Sequence, residues 1–256
     1  MADRAEIVAR LRRAGCVYAE DEAALILAET SAPAEVERMV AARVAGAPLE
    51  HVLGWAQFAG RRIAVDPSVF VPRRRTELLV HLAVLNAPPN AVVVDLCCGT
   101  GAVGITIAAR LDRPELYAVD IDPAAVRCAR RNVGPLGTVL AGDLFAALPA
   151  TLRGRIDILA VNAPYVPSAE IGLMPSEARE HEARIALDGG ADGLDLHRRV
   201  VGEAAEWLTP AGRLLIEVAE VQVAAAAAIM AGAGLTSSVV RSADLDATAV
   251  VATRRS

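Results

Sequence analysis

Apolar positions recur along this chain at helical spacing first and at strand spacing later, with the change near residue 48. From Met1 to about Ala47 they lie three and four residues apart: Ile7, Val8 and Leu11, then Ala24, Leu25, Leu27 and Ala28, then Val36, Met39, Val40 and Val44. That period places them on single helix faces, and breaks at Gly15 and Pro33 predict three short helices. So short a stretch buries little apolar surface alone. It reads either as a cap on the rest of the chain or as a recognition module. Between Pro48 and Pro72 the pattern shifts to Val52, Trp55, Phe58, Ile63, Val65, Val69 and Phe70, and Gly60-Arg61-Arg62 predicts the turn of a linking β-hairpin. Pro72-Arg73-Arg74-Arg75-Thr76-Glu77 then opens a helix through Leu78, Leu79, His81, Leu82 and Leu85, with Thr76 or an earlier residue near its N-cap. Three arginines at the positive end of a helix dipole are electrostatically awkward, which favours a functional reason for them.

From Val92 onward strands alternate with helices. The β-branched run Val92-Val93-Val94 reads as a buried parallel strand and leads into a helix through Ala109. Next come a strand Leu116–Asp120, a helix Pro123–Asn132, and strands Thr138–Ala141 and Ile156–Val161. A loop from Asn162 to about Asp192 precedes a helix Leu194–Leu208 and a strand Arg213–Val218. An Ala-rich helix near Val221–Ala231 and strands Ser237–Arg241 and Thr248–Thr253 close the pattern. The expected fold class is α/β: a doubly wound, Rossmann-like, mostly parallel sheet with a small N-terminal helical domain and a linking hairpin. Such sheets bind ligands at the C-terminal ends of their strands, and Asp95, Asp120, Asp143 and Asn162 all fall there.

Composition narrows the class. The 256 residues are 54% hydrophobic but only 3% aromatic, so the core is expected from Val, Leu, Ile and Ala. A formal charge of −5 gives no global attraction to nucleic acid, although Arg73-Arg74-Arg75 makes a local basic cluster. The first residues lack the basic-then-apolar order of a signal peptide, and the most apolar stretch, Val221 to Leu235, is short and interrupted by Gln222. Cys16, Cys97, Cys98 and Cys128 show no C-x-x-C spacing, so reduced thiols, a cytoplasmic location and no membrane partner are expected, with no metal.

The candidate chemistry lies at two strand ends. Gly99, Gly101 and Gly104 match the dinucleotide fingerprint, and Asp120 stands nineteen residues after Gly101, where that motif wants a ribose-binding acid. In a dinucleotide site, however, glycine follows the strand directly to admit a pyrophosphate, whereas here Asp95, Leu96, Cys97 and Cys98 intervene. An acid at that point suits S-adenosylmethionine, which carries a sulfonium, an ammonium and a ribose diol but no phosphate. The second site is Asn162-Ala163-Pro164-Tyr165. Alone it reads as a turn with a packed Tyr. Beside a methyl donor it offers the Asn162 side-chain carbonyl and the Ala163 main-chain carbonyl as paired acceptors for an NH2 group, with Tyr165 for its flat face and Pro164 to stiffen the loop. An amide or aryl amine has a delocalised lone pair, so orientation matters more there than a strong base.

These residues, with Pro72-Arg73, Thr76-Glu77, Glu182, Ala186-Leu187-Asp188-Gly189-Gly190 and Asp192-Gly193-Leu194, resemble the HemK/PrmC-type protein-(glutamine-N5) methyltransferases, the release factor glutamine methyltransferases. The resemblance implies a class I methyltransferase sheet and transfer of methyl from S-adenosylmethionine to the side-chain amide of a glutamine in a protein such as a peptide-chain release factor. It implies a helical recognition domain over 1–47, the hairpin linker over 48–72 and the methyltransferase domain over 73–256. Asp95, Gly99 and Gly101 would contact the methionine end of the donor, Asp120 the ribose hydroxyls, and Asp143 with Leu144 the adenine, with Cys97, Thr100 and Ile121 also at the donor site. Asn162 would face both donor and target, and with Ala163, Pro164 and Tyr165 carry the transfer; Arg73, Thr76, Glu77, Tyr165 and Glu182 would lie on the substrate side. Against the family pattern, Cys97 replaces a glycine, Ala163 replaces the first proline of an Asn-Pro-Pro-Tyr loop, and Ala183 follows Glu182 where proline is usual. Two alternatives stand beside this reading: an adenine amino-methyltransferase acting on nucleic acid, disfavoured by the few aromatics, and a catalytically weakened donor-binding regulator.

Overall fold

A computed structural model describes residues Asp3 to Arg254. The N-terminal part contains α1 (Arg4–Arg13), α2 (Ala19–Glu29) and α3 (Pro33–Val44), as the spacing predicts. Asp3 caps α1 through a hydrogen bond from Ala5 N, and Pro33 starts α3 where its missing N–H costs nothing. Ile7, Leu11, Ala23, Ile26, Val36, Met39 and Val40 form a core of their own. Inside it Arg43 makes two hydrogen bonds to Glu22, at 2.7 and 3.1 Å, and a third at 2.6 Å to Glu177 far along the chain.

The linking stretch departs from expectation in two ways. It begins with a short helix, α4 (Leu49–Leu53), before β1 (Trp55–Phe58) and β2 (Arg61–Ala64). The hairpin turn is Ala59-Gly60, both at positive φ (48° and 83°), so Arg61 and Arg62 already lie in the strand. A two-residue turn with both centres left-handed matches the twist of the paired strands. The hairpin docks on the sheet domain through Asn132, whose Oδ1 accepts from Ala64 N and whose Nδ2 donates to the carbonyls of Ala64 and Thr100.

The rest is α5 (Glu77–Val84), β3 (Val92–Leu96), α6 (Ala102–Ala108), β4 (Glu115–Asp120), α7 (Pro123–Val133), β5 (Gly137–Ala141) and β6 (Ile156–Val161). It continues with α8 (Ser176–His181), α9 (Asp195–Trp207), β7 (Leu208–Glu217), α10 (Val223–Gly232), β8 (Leu235–Ser242) and β9 (Ala247–Arg254). Seven strands make one sheet in the order β5-β4-β3-β6-β7-β9-β8, parallel from β5 to β7 and antiparallel at β9. One face packs on α9 and α10 around Trp207, which stacks on Phe145 with ring centroids 5.4 Å apart; the other packs on α5, α6 and α7. The chain reverses direction across the sheet between β3 and β6, the switch point at which doubly wound sheets open a ligand crevice.

Two further differences concern element limits. The stretch expected as loop between Asn162 and Asp192 holds α8, whose only buried residue is Ala178, too few apolar positions to create a period. Strand β7 starts at Leu208 rather than Arg213, because Leu208 pairs with Ile156 before a register irregularity. Among the described residues no helix is long and apolar enough to cross a membrane.

Candidate active site

A cavity of about 280 Å³ opens at the switch point, bounded by the ends of β3, β4, β5 and β6 and by the segment before α5. On the β3 side the backbone turns sharply, with Cys97, Gly99 and Gly101 at φ of 56°, 55° and 76°. Cys97 therefore holds a conformation that side chains disfavour at a position where glycine would be unstrained. Nothing lies within 4 Å of a Cβ built on Gly99, so the loop presents bare backbone to open space.

The acids at these strand ends are fixed by main-chain donors. Asp95 is 2% exposed, and its Oδ2 accepts from Gly104 N at 2.8 Å in the first turns of α6. Burial pushes its carboxyl up to about 7; the Gly104 hydrogen bond opposes the shift and nearby Asp120 adds to it. Asp120 accepts from Gly99 N at 2.8 Å and from Asp122 N at 2.9 Å, and burial raises its pKa against those donors. Each of its oxygens keeps a lone pair for a further donor such as a ribose hydroxyl. Next to it Ile121 leaves 52% of its surface exposed on the cavity wall, an apolar surface beside an acid that a nucleoside covers well. Asp143 is held at 2.7 Å by Arg199 of α9, a cavity residue that the sequence pattern did not single out, and Leu144 turns at φ 47° against the wall. These residues fit the polar and apolar groups of S-adenosylmethionine: acids for its ammonium and hydroxyls, apolar side chains for its base.

At the end of β6, Asn162 Nδ2 donates to Thr76 Oγ1 at 3.3 Å, which turns Oδ1 away from Thr76. Among the described residues no group donates to Asn162 Oδ1 or to the Ala163 carbonyl. The Tyr165 hydroxyl donates to Glu217 Oε1 at 3.3 Å, and burial beside that acid pushes the phenol up to about 12. Arg75 lies over the Tyr165 ring, its guanidinium carbon 5.8 Å from the centroid. The loop is backed by the glycine segment. A Cβ on Gly193 would sit 2.1 Å from the Tyr165 carbonyl oxygen, and one on Gly189 would sit 2.7 Å from that of Pro164. Gln222 reinforces the contact, its Nε2 donating to the carbonyls of Tyr165 and Asp192.

Of the residues singled out from sequence, Asp95, Cys97, Gly99, Thr100, Asp120, Ile121, Asp143, Leu144, Asn162, Ala163, Pro164, Tyr165, Arg73 and Thr76 line the one cavity. Gly101, Glu77 and Glu182 do not. Gly101 starts α6 against Ala129 and Val133, where a Cβ would be 3.2 Å from the Val133 side chain. Glu77 accepts from Ala59 N in the hairpin turn. Glu182, 5% exposed, accepts from Val71 N and from Arg73 at 2.6 Å, so it aims Arg73 from behind the wall. The sequence reading missed Glu217, Gln222 and Arg199. Glu217 carried a usable signal, an acid closing an apolar strand as Asp95 and Asp120 do; Gln222 and Arg199 carried none, since both act through contacts distant in sequence.

A family model described as the methyltransferase small domain matches residues 62–181. The release factor glutamine methyltransferase of Mycolicibacterium smegmatis is 39% identical over 192 residues, covering 74% of this chain and 68% of the relative. That of Deinococcus radiodurans is 34% identical over 240 residues, covering 83% of each. The chain belongs to the release factor glutamine methyltransferase family. The relative from Geobacter sulfurreducens is 38% identical over 183 residues, and there the match spans 70% of this chain but 63% of the relative's length. At the level of fold alone, a methyltransferase from Pyrococcus furiosus superposes with a TM-score of 0.56 at 13% identity, covering 77% of this chain and 90% of that one. A ribosomal protein L11 methylase from Lactobacillus delbrueckii gives 0.54 at 16% identity, covering 76% and 86%. In this member of the release factor glutamine methyltransferase family, Cys97 and Ala163 both lie on the cavity wall.

Proposed function

We propose that this protein transfers a methyl group from S-adenosylmethionine to the side-chain amide nitrogen of a glutamine in a peptide-chain release factor. The observation that carries this reading is the orientation of Asn162: its NH2 is engaged by Thr76, so Oδ1 and the neighbouring Ala163 carbonyl are left as two acceptors beside the donor cavity. Two acceptors match the two protons of a primary amide. Held by both, the amide nitrogen is fixed in place and the positive charge that develops on it is stabilised, which a delocalised lone pair requires more than a base. Tyr165 supplies a surface for the flat face of the amide. When bound, S-adenosylmethionine supplies an electrophilic methyl group; Asp95, Gly99, Asp120 and Asp143 are the residues that would hold it.

Helices α1 to α3, within the 1–47 stretch, serve in this reading as the recognition part. Arg43 supports it by joining α3 to Glu177 at the start of α8, close in sequence to the cavity residue Met174. Such a substrate places the protein in the cytoplasm, and the four free cysteines agree with a reducing compartment. The test is incubation of the full chain with isotopically labelled S-adenosylmethionine and a purified release factor, followed by mass spectrometry of the substrate. Label on one glutamine is expected, and its loss when that glutamine is replaced by alanine. Label in nucleic acid but not in protein would overturn the reading.

A further inference from the structure

The donor wall contains one cation, Arg199, that the transfer chemistry above does not use. It stands on α9, where the preceding Arg198 pairs with Asp192 and Asp195 of its own segment. Arg199 instead lines the cavity, and its Nη2 donates to Asp143 Oδ2 at 2.7 Å. The bond ties α9 to the end of β5 across 56 residues of sequence. Both side chains are about half exposed. An ion pair so open to water adds little to stability, so its use has to be sought in what it does to Asp143.

Asp143 directly precedes the short 3₁₀ turn Leu144–Ala147, with φ −91° and ψ 104°, the extended backbone that a capping residue adopts. An aspartate in that place ordinarily turns its carboxylate onto main-chain N–H groups two or three residues on. This one makes no such bond. Arg199 takes Oδ2 instead, and among the described residues no group donates to Oδ1. The carboxylate therefore stays on the cavity wall, in company with the apolar Ile121, Leu144 and Leu196. A lone acceptor among apolar side chains, one strand beyond Asp120, suits a flat base that carries an amine. We propose that Arg199 is a positioning residue for the base of the donor: it draws the Asp143 carboxylate off its own helical turn and leaves Oδ1 as the acceptor for the exocyclic amine of adenine. The site thereby selects adenosyl over inosyl ligands, since an inosine base would set a carbonyl oxygen against that carboxylate. The inference rests on the S-adenosylmethionine reading given above.

The experiment titrates S-adenosylhomocysteine, the donor without its methyl group, and S-inosylhomocysteine into the full chain by calorimetry. Binding of neither by the wild-type protein would overturn the donor reading itself, separately from the role of Arg199. With binding, the wild type is expected to prefer the adenosyl ligand by ~10- to 100-fold, the scale of a hydrogen bond to a charged acceptor. Arg199→Met keeps the apolar stem and removes the guanidinium. It is expected to bind the adenosyl ligand ~10-fold more weakly and the inosyl ligand within ~3-fold of the wild type, so that most of the preference is lost. Asp143→Ala is expected to lose the same preference, and adding Arg199→Met to it should change the ratio by no more than ~2-fold, because the arginine acts through the aspartate. Equal affinity of the wild type for the two ligands, a wild-type preference in either single variant, equal weakening of both ligands in Arg199→Met, or a further loss of preference in the double variant would overturn the proposal.

Discussion

The two sides of the cavity are built differently. On the donor side, acids at the ends of β3 and β4 take hydrogen bonds from main-chain N–H groups: Asp95 from Gly104, Asp120 from Gly99 and Asp122. On the target side, Asn162, Thr76, Tyr165, Glu217, Gln222 and Gly193 are brought together from segments far apart in sequence, almost entirely through side chains. Around Asp95 and Asp120 the donor side is made by main-chain donors, and only Asp143 is held by a side chain, that of Arg199. The target side depends on the whole sheet being in register. Damage to the second should therefore spare the first.

The largest expected effect is on the target side. Asn162→Ala should lower the single-turnover rate on a release factor by ~10²–10³, the scale for loss of one preorganised partner of developing charge. Wild-type rate in that variant would make the loop a structural turn and nothing more.

Gly193→Ala comes next. The residue sits at φ 76°, and its Cβ would meet the Tyr165 carbonyl at 2.1 Å and Gln222 Nε2 at 2.4 Å. It should cost about 2 kcal/mol or more of stability, with turnover falling further than donor binding. Equal losses of both, measured by chemical denaturation, calorimetry and turnover, would erase the contrast between the two sides.

A smaller effect sharpens the contrast from the donor side. Burial raises Asp95 from 3.8 to about 7 in the folded chain, and Asp120 is raised as well. Between about pH 4 and pH 7 the folded state then keeps a proton that the unfolded chain has lost. The contribution of Asp95 to stability therefore falls as pH rises through that window, by at most ~1.4 kcal/mol per pH unit, and levels off above it. Thermal unfolding against pH should show a slope that Asp95→Asn flattens. An unchanged slope in the variant would remove Asp95 as its source.

Smallest of all, Ala163→Pro should keep turnover near wild type and stabilise the chain by about 0.4–1 kcal/mol. The Ala163 N–H donates no hydrogen bond among the described residues, and its position before Pro164 already disfavours helical backbone. A large loss of turnover on the release factor would show that Ala163 reshapes the loop for a different target.

The same contrast decides what was legible in the sequence. Strands β3 to β6 and the acids at their ends could be read because apolar runs, turn glycines and terminal polar residues are contiguous. The hairpin was legible, but its turn was placed one step late, since Gly60 marks the turn while Ala59 gives no sign of its left-handed φ. Helix α8 was not legible because it buries a single residue. The pairing of Asn162 with Thr76, and of Tyr165 with Glu217, spans 86 and 52 residues and leaves no periodic trace. The Gly189-Gly190 and Gly193 segment was visible only as a motif; its reason, close approach to the Pro164 and Tyr165 carbonyls, needs the fold.

The separation of the two sides is tested most directly by calorimetric titration of S-adenosylmethionine into Asp120→Ala and Asn162→Ala, side by side with the wild type. Asp120→Ala should weaken binding by about 1–3 kcal/mol, the cost of losing hydrogen bonds to a charged acceptor, while Asn162→Ala binds as the wild type does. Equal weakening in both variants would contradict the division of the cavity into a donor side and a target side.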